Sequence, residues 1–183
     1  MERTANIGVL SLDKAINYGC SGPILRASGL KMDLRKVDGY SVYPELDFSI
    51  PIGEGLVGTK GDCWDRNYVR VLECYESLKL IEQCVAKLTS EHKRDRDFDP
   101  RALVPKKIRP KQQDLYFRAE NPKGELGFFF RTTGKSDIPL RVKARGPSFV
   151  NLSVLRELSK GVMLADLIAI VGSLDFVMGE VDR

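Results

Sequence analysis

Cys74, Leu78, Ile81, Val85 and Leu88 recur at spacings of four and three, which lays five apolar side chains along one face of an α-helix. Asp65 supplies a start signal for it. The spacing predicts a long helix over residues 65–88, the clearest element in the chain and the frame for the rest.

The surrounding patterns are shorter. Residues 1–60 read as short strands and loops, punctuated by turn formers at Tyr18-Gly19, Ser21-Gly22-Pro23, Ser28-Gly29 and Gly53-Glu54-Gly55. Three strand-like segments at 115–120, 127–132 and 140–145 are separated by Asn121-Pro122-Lys123-Gly124 and Thr133-Gly134-Lys135, the layout of an antiparallel meander. An apolar segment at 152–158 and a buried helix over 162–171 lead into a charged tail. The expected fold class is α+β: a helical core with a small antiparallel sheet, in one unit spanning 1–183. Residues 89–113 form a basic linker within it, punctuated by Pro100, Pro105 and Pro110. A basic run of this kind suits nucleic acid or lipid headgroups. It lacks the series of aromatics that base stacking needs, so a solvated linker is the better reading and nucleic acid is not an expected partner.

Composition narrows the function classes. A hydrophobic content of 43% with 30% charged residues fits a folded globular chain, and a net charge of +4 is too mild to imply a polyanionic partner. The longest apolar stretch, 162–171, is interrupted by Asp166 and is too short to span a membrane. No signal peptide is read at the start, where Met1 runs directly into Glu2-Arg3-Thr4. Cys20, Cys63, Cys74 and Cys84 form no CxxC pair, and His92, the single histidine, lies in the basic linker. Such spacing does not suit a zinc or iron–sulfur site held by this chain alone, and buried, reduced thiols are expected.

The tail carries the most specific signal. Asp175-Phe176-Val177-Met178-Gly179-Glu180-Val181-Asp182-Arg183 resembles the Asp-Pro-Cys-x-x-Cys-x-x-His ending of hydrogenase large subunits, with Val177 and Glu180 at the cysteine positions and Arg183 at the histidine position. A soft metal needs thiolates, so the layout stands without its ligands. Seven further blocks stand in order ahead of it: Arg3-Thr4-Ala5-Asn6-Ile7-Gly8-Val9-Leu10, Asn17-Tyr18-Gly19-Cys20-Ser21-Gly22-Pro23-Ile24-Leu25-Arg26-Ala27-Ser28-Gly29, Asp33-Leu34-Arg35-Lys36, Tyr40-Ser41-Val42-Tyr43, Gly61-Asp62-Cys63-Trp64-Asp65-Arg66, Pro122-Lys123-Gly124-Glu125-Leu126-Gly127 and Pro147-Ser148-Phe149-Val150-Asn151-Leu152. With the tail they resemble the C-terminal half of the hydrogenase-like, quinone-site core subunit of respiratory complex I, NADH:ubiquinone oxidoreductase. The wording around Met163-Leu164-Ala165-Asp166 is closest to mitochondrial versions. The chain departs from the family in three ways. The family's N-terminal part is missing, a His-His-Phe-Lys segment before the Pro-Lys-Gly turn is replaced by the basic linker, and Val142 stands where a tryptophan is usual.

This resemblance implies part of a nickel–iron hydrogenase large-subunit fold without its metal ligands. It implies a role in NADH:ubiquinone reduction coupled to proton pumping, with no activity expected of the chain alone. Ubiquinone would sit in a shared pocket beside a 4Fe-4S cluster held by a neighbouring subunit. The implied partners are that Fe–S subunit, other peripheral-arm and membrane-arm subunits, and the N-terminal half of the same subunit as a separate chain. The implied location is the matrix side of the mitochondrial inner membrane, peripherally attached. Asp175 is the first functional candidate, a carboxylate whose pKa burial would raise for proton handling; the alternative is a structural pairing with a nearby arginine. Val177, Phe176, Met178 and Lys123 are candidates for the quinone pocket wall, against core packing for Val177 and a solvent-facing turn for Lys123. Arg26, Asp33, Arg35, Asp62, Arg66 and Arg183 are read as a structural charge network, and Glu180 and Asp182 join Arg183 in an expected terminal anchor. The alternative function is a non-catalytic scaffold or accessory subunit built on the same fold.

Overall fold

The computed structural model describes residues 3–91 and 107–182. Most of the basic linker, together with His92 and Arg183, lies outside the described residues. The elements run α1 (Leu12–Asn17), α2 (Pro23–Ala27), α3 (Leu34–Val37), a 3-10 turn (Tyr43–Glu45), α4 (Cys63–Glu91), β1 (Gln112–Asn121), β2 (Gly124–Thr133), β3 (Arg141–Arg145), α5 (Pro147–Leu152), α6 (Leu155–Leu158), α7 (Leu164–Leu174) and α8 (Met178–Val181). The α+β class holds, with the three strands in one antiparallel sheet of order β1-β2-β3.

The first sixty residues depart from expectation, forming short helices where strands were predicted. Their turn formers act as helix ends. Ser11 caps α1 by accepting from the Lys14 amide, Pro23 opens α2, and Asp33 caps α3 through the Arg35 amide. Gly19 and Gly29 follow α1 and α2 with φ of 68° and 99°, the left-handed position where glycine ends a helix at little cost.

The main core gathers Leu10, Ala15, Ile24 and Leu25 from the N-terminal region, Cys63 from α4, and Val154, Leu158, Ile170 and Leu174 from the C-terminal region. A smaller cluster places Leu80 of α4 against Leu46 and Phe48. α4 is longer than its stripe predicts, 29 residues starting at Cys63. It also turns the stripe the other way: Leu78, Ile81, Val85 and Leu88 are 55–59% exposed, while Cys63, Val69 and Leu80 face inward. Helical spacing fixes which residues share a face, and packing decides whether that face is covered. α7 is likewise less buried than expected, since only Ile170, Ser173 and Leu174 are enclosed while Leu164 and Ile168 face outward. Among the described residues, no helix is long and apolar enough to cross a membrane.

Candidate functional site

The site is assembled from three segments remote in sequence, the first being the N-terminal part of α4. Arg66, Arg70 and Glu73 succeed one another at spacings of four and three, so the helix sets them on one side. From across the fold comes the β1–β2 hairpin, in which Asn121 pairs with Gly124 and Pro122-Lys123 form the turn. Asn151, 2% exposed, pins this turn: its amide nitrogen donates to the carbonyls of Lys123 (3.1 Å) and Ser21 (3.2 Å), and its oxygen accepts from the Ser21 amide (3.1 Å). The backbones of Gly22 and Gly124 meet here so closely that a Cβ on Gly22 would lie 2.4 Å from the Gly124 Cα. The third segment is the end of α7, where Asp175 takes the left-handed conformation (φ 51°) and its amide donates to the Gly172 carbonyl.

These segments enclose a cleft of about 350 Å³ whose lining includes Arg26, Arg70, Glu73, Glu120, Lys123 and Asp175. At one end two cations share one carboxylate. Lys123 Nζ donates to Asp175 Oδ2, and Arg70 Nε sits 3.3 Å from the same oxygen as an ion pair without hydrogen-bond geometry. Burial pulls the Arg70 guanidinium below its ordinary range, against the opposing field of Asp175. At the other end Arg26, 2% exposed, donates from Nε to Glu73 (2.6 Å) and from Nη1 to Glu120 (2.8 Å). Asp33 lies 3.7 Å from Arg26 Nη1 and accepts two hydrogen bonds from the Arg35 side chain. Arg26, Arg35, Glu73 and Glu120 line the cleft here, two cations against two carboxylates, whereas Asp33 is not among the lining residues. Burial pushes the Glu73 carboxyl above its ordinary value despite Arg26, while at Asp33 the bonds from Arg35 overcome burial and hold the carboxyl below it.

Several expectations separate here. Asp175, Lys123, Arg26 and Arg35 line one cleft. The burial expected of Asp175 is absent, because its side chain is 42% exposed and paired with two cations; it caps the end of α7 beyond the core. Val177, Phe176 and Met178 are not among the residues lining this cleft. Phe176 packs against the main core, and Val177 and Met178 are 44% and 65% exposed. Asp62 and Arg66 do not join the ion-pair cluster. Asp62 accepts from the amides of Asp65 and Asn6, and Arg66 is held by the carbonyls of Gly61 and Gly8, the Ser173 hydroxyl and the Cys63 thiol. Glu180 accepts from the amide and hydroxyl of Ser148 at the start of α5; the anchor expected with Arg183 lies outside the described residues. Arg70, Glu73 and Glu120 were not singled out from the sequence. The four–three spacing of charges in α4 marks the first two, whereas Glu120 carries no local signal.

The sequence matches the family model for the respiratory-chain NADH dehydrogenase 49 Kd subunit over residues 1–183. The chain belongs to this family. Over all 183 residues it is 74% identical to an NADH-quinone oxidoreductase subunit of Cytophaga hutchinsonii, covering 47% of that protein. It is 63% identical to the NADH-quinone oxidoreductase subunit of the same type from Amoebophilus asiaticus and 56% identical to that from Chlorobium luteolum, covering 45% of each. The chain thus spans less than half the length of the curated relatives it matches. All three relatives are bacterial, so they lend nothing to the mitochondrial location implied by the wording around Met163.

Proposed function

We propose that this chain forms one wall of the ubiquinone pocket in the quinone-reducing module of a respiratory NADH:quinone oxidoreductase, coupling NADH oxidation to proton pumping. The observation that carries the reading is the cluster of Lys123, Arg70 and Asp175 at one end of the cleft. Reducing a quinone to a quinol takes two electrons and two protons, and negative charge develops on the carbonyl oxygens as the electrons arrive. Two cations sharing one carboxylate stabilise such an oxygen, and Lys123 carries a proton within reach of it. Asp175, partly open to solvent, holds Lys123 in place and is the group through which that proton is replaced.

A 4Fe-4S cluster held by a neighbouring subunit would supply the electrons. Among the described residues, Cys20, Cys63, Cys74 and Cys84 do not gather into a ligand set, and no step is assigned to a metal on this chain. Its partners are the cluster-bearing subunit, the other subunits of the peripheral and membrane arms, and the remaining portion of the family's chain, on the same or a separate polypeptide. The complex holds it peripherally at the membrane.

Native purification from membranes, with mass spectrometry of co-purifying chains and an NADH:quinone reductase assay, tests the reading. Recovery in an active complex with Fe–S subunits supports it. Recovery without Fe–S subunits overturns it in favour of a non-catalytic scaffold.

A further inference from the structure

The short helix α5 bonds to both arms of the Lys123–Asp175 contact without belonging to either. Ser148 and Asn151 stand three residues apart on it, so they share one side of the helix. They are 1% and 2% exposed. Toward the hairpin, Asn151 donates to the carbonyl of Lys123 itself and exchanges a reciprocal pair of bonds with the Ser21 backbone. The Ser21 hydroxyl accepts from the Glu125 amide (3.0 Å), so the turn is fastened on both sides of its glycine. Toward the tail, the Ser148 hydroxyl accepts from the Val177 amide (3.2 Å), two residues after Asp175, and donates to Glu180. The Ser148 amide donates to the same Glu180 oxygen (3.1 Å). The tail is pressed close to the start of α5: a Cβ on Gly146 would lie 2.8 Å from the Glu180 carbonyl oxygen.

We infer that Ser148 and Asn151 are positioning residues for the Lys123–Asp175 pair, which α5 holds in register by bonding the chain on both sides of the contact. Their role rests on the quinone reading proposed above, and neither residue lines the cleft. Burial does not fix the pair, since the Lys123 and Asp175 side chains are 24% and 42% exposed. A lysine on its flexible four-carbon stem meets an open carboxylate in many ways, so the backbones beneath the two side chains set the geometry. Removing a buried bond from α5 leaves a polar group unpaired, and the chain shifts to satisfy it. A displacement of about 1 Å at a reacting group costs up to about a hundredfold in rate.

The test is a double-mutant cycle in the assembled complex in its native membranes. Reduction of a short-chain ubiquinone by NADH is the readout, and NADH oxidation by an artificial acceptor measures assembly. Asn151→Ala and Ser148→Ala are each expected to lower the quinone rate, per assembled complex, by about threefold to tenfold. In a Lys123→Met background each changes it by less than about twofold, because the group they position is already gone. Ser153→Ala, which removes a hydroxyl bonded back to Val150, leaves the rate at the parent level. Where Asn151→Ala fails to assemble, the cycle is read on Ser148→Ala, the smaller change. An equal fractional loss in the two backgrounds overturns the inference, since a merely structural role acts on both alike. Full activity of both single variants overturns it too, as does failure of both to assemble. Failure of the quinone reading is a separate result: Lys123→Met then leaves the quinone rate unchanged, and the inference falls with it.

Discussion

Lys123 and Asp175, 52 residues apart, meet at the edge of the cleft, with Arg70 of α4 on the same carboxylate oxygen. Each approaches from a backbone feature that leaves little freedom. Lys123 rides on a two-residue turn fastened by Asn151, and Asp175 sits at a left-handed helix end. The three charged groups are thus placed by three separate elements, and changing Lys123 or Asp175 tests function more than folding.

Lys123→Met and Asp175→Asn should each lower quinone reductase activity of the assembled complex by about tenfold or more. NADH oxidation with an artificial acceptor that bypasses the quinone should stay at the parent level. Assaying both activities on the same membranes checks this. An equal fall in both would mean failed assembly.

Arg26→Ala should destabilise the protein by about 3–5 kcal/mol, because it strands Glu73 and Glu120 without their cation in a largely buried setting. Arg131→Ala is the contrast. Its partner Asp114 is half exposed, and a solvent-screened surface pair of this kind contributes little, so the loss should be far smaller than that of Arg26→Ala. Chemical denaturation of the two variants against the parent gives the comparison.

Asp33 and Glu73 should bend the pH dependence of stability in opposite directions. The folded-state carboxyl of Asp33 lies below its unfolded value, so its contribution is complete above that value, near 3.8, and is lost as pH falls through the lower folded pKa. Glu73 has a folded pKa above its unfolded value near 4.5, so the folded state binds the proton more tightly and loses that advantage as pH rises through the folded pKa. In denaturation curves from pH 3 to 7, Asp33→Asn should flatten the acid limb. Glu73→Gln should instead remove a decline above pH 4.5.

Gly22→Ala should cost about 2 kcal/mol or more, since φ there is 68° and the added methyl meets the Gly124 backbone. The hairpin turn must then move, taking Lys123 with it. Thermal stability and quinone reductase activity should fall together. A stable, fully active variant would show that the turn does not position Lys123.

The one-dimensional pattern reached some features and missed others for identifiable reasons. The β1–β2 hairpin and the α4 helix were legible from local spacing, whereas the contact between Lys123 and Asp175 was not, because it joins a hairpin turn to a helix end 52 residues away. Helices in residues 1–60 were not legible, because runs of four to six residues carry too few periods to separate helix from strand. Glu120 was hidden because its importance comes from Arg26, which is distant in sequence. The burial expected of Asp175 failed because an apolar helix ahead of a residue does not reveal which side of that helix faces solvent.

By itself the sequence determined the family, the long helix and the meander, since each rests on residue patterns read along the chain. Only the tertiary structure decided that the α4 stripe faces outward, that Arg66 is held by carbonyls and a hydroxyl, and that Arg70 and Lys123 share Asp175. Such facts depend on which faces meet, and long-range packing selects those among many arrangements the local pattern allows.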